Sequence, residues 1–165
     1  MTLSYKGSRV SDTIPSTIDP GAQRITMDTS MLTKRTMTLS TLRGRGYING
    51  MDFDVRPYTI MSKVGTYEVW EIINDGGMDH PFHQHVNAAQ VLSVQGGDAA
   101  YASLYTSIPA MKDTVIVPGW GKVTLLVPIK DYTGMTMFHC HIVEHEDIGM
   151  MGMWHIMPND MPMPM

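Results

Sequence analysis

Two short segments hold six of the seven histidines and the only cysteine of this chain. The first is His-Pro-Phe-His-Gln-His from residue 80, and the second is His-Cys-His-Ile-Val-Glu-His from residue 139, followed by a methionine at position 150. A thiolate, imidazoles and a weak thioether are the ligand set of a blue-copper electron-transfer site, so these segments predict copper. Zinc is the competing metal, but structural zinc sites usually close with four ligands, several of them cysteines.

The second segment is predicted to be a strand, over residues 135–142. Successive side chains of a strand point to opposite faces. His139 and His141 should therefore face one way and Cys140 the other. One strand could then serve two metal centres that are joined by a few covalent bonds, and the chemistry implied is one-electron transfer between unlike sites.

The first segment is predicted to contribute to both centres. His83 and His85 have the same spacing as the histidines beside the cysteine, so they can share a face. We place His80 on a bend near Pro81, which leaves it free to turn elsewhere. The second centre would then be faced by four imidazoles, those of His83, His85, His139 and His141.

At these residues the chain resembles the multicopper oxidases, the family of laccases, cuprous oxidases and bilirubin oxidases, and specifically their C-terminal cupredoxin domain. The resemblance is close over residues 139–151 and extends roughly over 35–158. The first histidine segment departs from the family pattern, with Gln84 in place of an aliphatic residue and Val86-Asn87 in place of a glycine and its neighbour. These are not ligand positions, so the departure concerns local packing and solvent access.

The resemblance implies a role for each ligand. The mononuclear type 1 copper would be bound by His80, Cys140 and His145, with Met150 as a long axial ligand. The other ligands would belong to a trinuclear cluster, in which the type 2 copper is bound by His83 and the binuclear type 3 pair by His85, His139 and His141.

The resemblance also implies an oxidase of the laccase type. Electrons from a small reducing substrate, a phenol or a metal ion, would pass from the type 1 copper through Cys140 to the cluster, where dioxygen is reduced to water. Glu146 matches the family's acidic residue that hands protons to dioxygen. The alternatives are a one-copper electron carrier and an isolated domain of a longer oxidase. A carrier needs only the type 1 ligands, so the second flanking histidine, His141, favours the oxidase.

The count of histidines predicts a shared cluster. In the family, the cluster lies between two cupredoxin domains that each give two His-x-His pairs, whereas this chain has two pairs in all. A copy of the same chain could complete the site in a homo-oligomer, because a two-fold contact presents the same patch from both subunits. A partner domain on another polypeptide, or a further part of a longer oxidase, could equally supply the missing histidines.

The elements that must position these residues are predicted to be strands, with no convincing helical periodicity over any long segment. The fold class is all-β, and the resemblance implies a Greek-key cupredoxin sandwich or barrel over residues 23–158, a single domain. Residues 1–22 would be an arm or linker. Residues 159–165 would be a methionine- and proline-rich tail whose thioethers could collect Cu(I). The predicted strands span 35–41, 66–74, 88–94, 114–117, 122–128, 135–142 and 151–157.

Composition is consistent with one compact core. The chain has 165 residues, of which 43% are hydrophobic. Its formal charge of -4 and the absence of a basic run argue against nucleic acid as a partner. No apolar stretch approaches the roughly 18 residues of a membrane span, and the first residues lack the apolar middle of a signal peptide. An extracytoplasmic location is expected from the family resemblance alone.

Overall fold

The computed structural model describes residues 4, 6–7, 11, 13–130 and 132–162. Over these residues the chain forms strands that are divided between two sheets, with two short helices, α1 and α2, between strands. In chain order the elements are β1 Thr33–Leu42, β2 Arg45–Ile48, β3 Tyr58–Lys63, β4 Thr66–Asn74, β5 His80–Gln84, β6 Ala89–Gln95, α1 Ala99–Ser107, β7 Met111–Lys112, β8 Thr114–Val117, β9 Lys122–Ile129, β10 Gly134–Cys140, α2 Val143–Asp147 and β11 Met151–Met157.

The two sheets pack face to face. The first has the strand order β2-β1-β4-β9-β6-β7, and the second, which we call sheet B, has the order β3-β11-β10-β5-β8. Most neighbouring strands are antiparallel, but β1 pairs with β4, and β11 with β3, in parallel. The predicted all-β sandwich is confirmed, and it puts both histidine segments on adjacent strands of sheet B, β5 and β10.

An aromatic core fixes the position of β10 between the sheets. Phe138 is fully buried, and its ring lies 5.9 Å from those of Trp70 and Phe82, measured between centroids. Trp154 lies 4.7 Å from Trp70 in an edge-to-face arrangement. Such contacts restrict ring orientation. Since Phe138 immediately precedes the His-Cys-His segment, the packing of its ring holds that segment in place.

The tryptophan indoles in this core are hydrogen-bonded. Trp70 Nε1 donates to Glu68 Oε2 at 2.8 Å, and Trp154 Nε1 donates to Ser62 Oγ at 2.9 Å. The buried Glu68 carboxylate also forms a two-point ion pair with Arg35. A buried charge is tolerated when it is paired and hydrogen-bonded in this way.

The predicted strands are found within two residues of their expected bounds, and β4, β8 and β11 have those bounds unchanged. The strands β2, β3, β5 and β7 were not predicted. The placement of His80 on a bend is wrong, because it begins β5. Side chains alternate between the two faces along this strand. His80 and His83 are three positions apart, so they point to opposite faces.

The segments that flank the predicted domain are partly described. Residues 13–22 form neither helix nor strand, and Arg24 then anchors the chain by donating to Val91 O at 2.6 Å and Ile108 O at 2.9 Å. In the methionine-rich tail, residues 163–165 lie outside the described residues, and Met161 is 51% exposed. The domain bounds 23–158 stay a prediction. No helix in the described part of the chain has the length and apolarity needed to cross a membrane.

Candidate metal centres

Three donor atoms converge at the carboxyl end of β10. Cys140 Sγ lies 3.5 Å from His80 Nδ1 and 3.6 Å from His145 Nδ1, and the two nitrogens are 3.1 Å apart. An ion bound at about 2.0 Å from nitrogen and about 2.3 Å from sulfur would separate such donors by roughly 3.3–3.7 Å. The two sulfur–nitrogen separations lie in this range and the nitrogen–nitrogen separation is slightly shorter, so the three donors are close enough to bind one ion.

The backbone of β5 and β10 brings these residues together. Phe82 is the register partner of Cys140, and the N–H of His141 donates to Pro81 O at 2.7 Å. These two contacts dock the end of β10 beside the start of β5, which carries His80. His145 comes from α2, which begins three residues after the cysteine.

The segment from Cys140 to Met150 closes on itself. The N–H of Cys140 donates to Met150 O at 3.1 Å, and the N–H of Met150 donates to His145 O at 2.9 Å. The Met150 side chain is fully buried. A Cβ at Gly46 would lie 2.7 Å from Met150 Cβ, so only glycine fits against this methionine without displacement. The backbone of Met150 thus lies beside that of Cys140 and His145, and its role as an axial ligand stays a prediction.

Burial favours the neutral forms of two donors of this centre, His80 and Cys140. Burial, and then the neighbouring His145, lower the pKa of His80 to about 4, against a smaller opposite effect of Asp79. Burial also raises the pKa of Cys140 to about 11. Desolvation disfavours the charged form of each group. A thiolate at this position therefore requires a bound cation to compensate its charge.

The second cluster lies on the other side of β10. Ligand atoms of His83, His85 and His139 are all within 4.8 Å of one another, and Nε2 of His85 is 3.1 Å from Nε2 of His139. The ring of His141 lies 5.5 Å from that of His83 and 5.6 Å from that of His139. The four histidines predicted to share a face therefore form one group, although β10 ends at Cys140.

Hydrogen bonds orient two of these rings. Nδ1 of His139 is 3.1 Å from Cys140 O, and Nδ1 of His83 is 3.0 Å from Thr114 Oγ1. A histidine that donates from one ring nitrogen presents the lone pair of the other to a metal. Burial, then neighbouring histidines, lowers the pKa values of His83 and His85. The neutral imidazole is the form that binds metal.

Glu146 lies beside the second cluster. Its Oε2 is 3.4 Å from Nδ1 of His139, and its side chain is 38% exposed. It directly follows His145 in α2, so this carboxylate is adjacent to residues of both clusters. The carboxyl group is therefore both close to the second cluster and partly open to solvent.

Sequence reasoning did not identify Gly46 or Thr114 as parts of the site. Both lie on strands far from the histidine segments in sequence, and their contacts depend on strand register. Thr114 is the register partner of His83 on β8, and the N–H of Gly46 donates to Ile148 O at 2.8 Å, just before Met150. Neither residue belongs to a motif, so only knowledge of the sheet pairing could have found them.

Comparisons with known proteins identify a family. The family model of multicopper oxidases matches residues 20–160. The chain is 37% identical over 129 residues to a multicopper oxidase of Staphylococcus aureus, with 76% of the chain and 28% of the relative covered. It is 33% identical over 141 residues to a laccase of Haloferax volcanii, with 83% of the chain and 23% of the relative covered.

A solved structure is similar over nearly the whole chain. The multi-copper oxidase of Pediococcus acidilactici superimposes with a TM-score of 0.73 at 26% identity, over 96% of this chain and 33% of that one. The chain thus spans about a quarter of the length of the curated relatives that it matches. With its cupredoxin sandwich and its histidine and cysteine clusters, the chain belongs to the multicopper oxidase family, whose metal is copper.

Proposed function

We propose that this chain is part of a laccase-like multicopper oxidase. The assembled enzyme would couple one-electron oxidations of a small reducing substrate, a phenol or a metal ion, to the four-electron reduction of dioxygen to water. The observation that carries the proposal is the arrangement of two ligand clusters on opposite sides of one strand, with Cys140 in one and His139 in the other. Copper bound at both clusters would accept and release single electrons.

Cys140 and its neighbours would connect the two centres. Its Sγ points to the cluster of His80 and His145, while the adjacent His139 and His141 point to the other. The path between the centres is therefore a short run of covalent bonds. Cys140 is fully buried, so the sulfur at the start of this path is shielded from water.

The ligand assignment follows the family resemblance and is compatible with the distances. The type 1 copper is assigned to His80, Cys140 and His145, with Met150 as the axial ligand. The type 2 copper is assigned to His83, and the type 3 pair to His85, His139 and His141. Support comes from the donor spacing at the first cluster and from the orientation of the His139 and His83 rings at the second.

Glu146 is proposed to hold and deliver protons for dioxygen reduction. Its carboxylate is next to Nδ1 of His139, on the side of the histidine cluster, and it reaches solvent. Proton transfer by a positioned carboxyl group typically contributes about 10²–10⁴-fold to a rate. The residue would therefore act on the dioxygen half of the reaction and not on substrate oxidation.

A second set of histidines must complete the trinuclear cluster. His83 and His85 together with His139 and His141 supply four imidazoles, half of the family's cluster. We propose that a second copy of the chain supplies the rest through an isologous contact, which brings identical sets together. A partner domain, on another polypeptide or in a longer form of this one, is the alternative.

Copper content per chain, the mass of the assembly and oxidase turnover, measured on one sample, test this proposal. We expect a homo-oligomer with more than one copper per chain and with oxidase activity that falls on dilution. A strictly monomeric protein that reduced dioxygen to water at full rate would refute the shared cluster. The Cys140→Ser variant is the control, since it should lose the visible charge-transfer colour and the oxidase activity while it keeps the histidine cluster.

One observation favours a second candidate, a type 1 copper electron carrier. The whole predicted type 1 ligand set lies within this chain, whereas the other cluster is half of what the family uses. A monomer that binds one copper, has the visible colour and shows no oxidase turnover would support this function.

A further inference from the structure

The outer face of sheet B is rich in methionine. Along β11 the buried positions are Gly152, Trp154 and Ile156, and the partly exposed positions between them are Met151, Met153 and His155. The same alternation on β3 buries Ile60 and Ser62 and leaves Met61 partly exposed, and on β10 it leaves Met135 and Met137 outside the buried core. Soft side chains from three adjacent strands thus share the face that points away from the core.

Strand register places three of these side chains in one row across the sheet. His155 pairs with Met135 on the antiparallel strand β10 and with Met61 on the parallel strand β3. Neighbouring strands lie about 4.8 Å apart, and side chains directly opposite each other have Cβ atoms about 4.5–5.5 Å apart. Two thioethers can therefore reach an ion next to the imidazole that stands between them.

Further methionines continue from this row towards the histidine cluster. Met153 pairs with Met137, and Met151 pairs with His139, which belongs to that cluster. The backbone of Met137 also accepts a hydrogen bond from the N–H of His85 at 3.1 Å. The soft face and the histidine cluster are therefore contiguous on sheet B.

The methionines of the row lie outside the buried core. Methionine commonly fills irregular gaps in hydrophobic cores, but Met135 is 56% exposed. Thioether ligands favour Cu(I), and imidazole is also a good copper ligand. The start of the methionine-rich tail lies at the same end of the sheet, because Lys63 Nζ, at the end of β3, donates to Asn159 O at 3.3 Å.

We propose that Met61, Met135 and His155 form a binding site for a cuprous ion, separate from the two clusters described above. Met153, Met137 and Met151 extend this soft surface to His139. Binding at the row involves no change of oxidation state, since thioethers and a neutral imidazole hold Cu(I) as it arrives. The site does not depend on oxidase activity, and a protein that lacked such activity would still bind the ion.

Silver(I) is the probe, since it has the charge and the ligand preference of Cu(I) and does not undergo redox chemistry at the protein. Copper-loaded full chain is titrated with Ag(I), and the silver and copper bound per chain are counted after dialysis. X-ray absorption at the silver edge reports sulfur neighbours. We expect one additional silver ion per chain with sulfur ligands, while the copper content and the visible band stay unchanged.

A triple variant and a matched control decide the location. Met61→Leu, Met135→Leu and His155→Gln together should abolish the silver binding, and a retained visible band shows that the chain is folded. In the control, Met27→Leu, Met31→Leu and Met111→Leu replace exposed methionines outside this face and should leave the silver bound. If the triple variant keeps its silver, if the control loses it, or if the parent chain binds none, the proposal is wrong.

Discussion

Copper loading at Cys140 should release a proton. Burial raises the pKa of this thiol to about 11, so the metal-free protein holds Cys140 as a neutral thiol at pH 7, whereas copper requires the thiolate. The imidazole of His80, with a pKa lowered to about 4, is already neutral and has no proton to lose. The thiol is therefore the expected source of the proton.

The size of the effect follows from that pKa. At pH 7, four units below the pKa of the thiol, about one thiol in 10⁴ is ionised. Forming the thiolate therefore lowers the copper affinity of the site by about 5 kcal/mol at this pH. Since one proton is displaced, the affinity should rise tenfold per pH unit and about 100-fold between pH 7 and pH 9.

The assay is a competition titration against a chelator whose own proton linkage is known, followed through the thiolate-to-copper charge-transfer band. A pH indicator in weakly buffered solution counts the protons in parallel. Cys140→Ser should release about one proton fewer per chain when it is loaded to saturation. An affinity that does not change between pH 7 and pH 9, with no proton released, would show that the thiolate is already formed in the metal-free protein and that burial does not control it.

Four other changes test particular parts of the site. Met150→Leu should keep the visible band and raise the reduction potential measured by voltammetry, because a weak axial donor is lost; an unchanged or lower potential argues against that role. Gly46→Ala places a Cβ 2.7 Å from Met150 Cβ and should shift the band and the potential, whereas Gly76→Ala, with its closest neighbour at 3.5 Å, should not. Glu146→Gln should slow dioxygen turnover by about 10²–10⁴-fold, while stopped-flow reduction of the type 1 copper by substrate stays intact; equal loss in both would contradict the proton role. Metal-free protein should lose about 3 kcal/mol of unfolding free energy as the pH falls from about 6.5 to about 4, because over this range His80 binds a proton in the unfolded chain but not in the folded one. Urea titrations measure this loss. No loss, or the same loss in His80→Gln, would contradict the reasoning.

The predictable part of the fold consists of strands with a buried face or a fully buried run. The segments 66–74, 114–117 and 151–157 carry apolar and β-branched residues between clear breakers, and their bounds are as predicted. β5 was missed because Pro81 disfavours an inner strand, yet β5 lies between β10 and β8. Helix α1 was missed because it buries no residue and so has no apolar stripe; its start is marked only by Asp98, which accepts from the N–H of Ala100 and Tyr101.

The predictable part of the site is the part that depends on local alternation. The opposite directions of Cys140 and His139 follow from the strand alone, and the structure has this arrangement. His80 lies close to Cys140 in space although the two residues are 60 positions apart in sequence. This proximity was predicted from the family resemblance and not from the local sequence around His80. The contacts of Gly46 and of Thr114 depend on long-range pairing, which a single sequence does not reveal.

The alternation of β10 also has an evolutionary consequence. Because the spacing between the two centres is set within three consecutive residues, insertions in loops outside them leave it unchanged, and those loops are free to vary in length. One residue inserted between His139 and Cys140 would instead turn Cys140 to the other face. Descendants of this chain should therefore vary widely in loop length and very little in the length of this tripeptide.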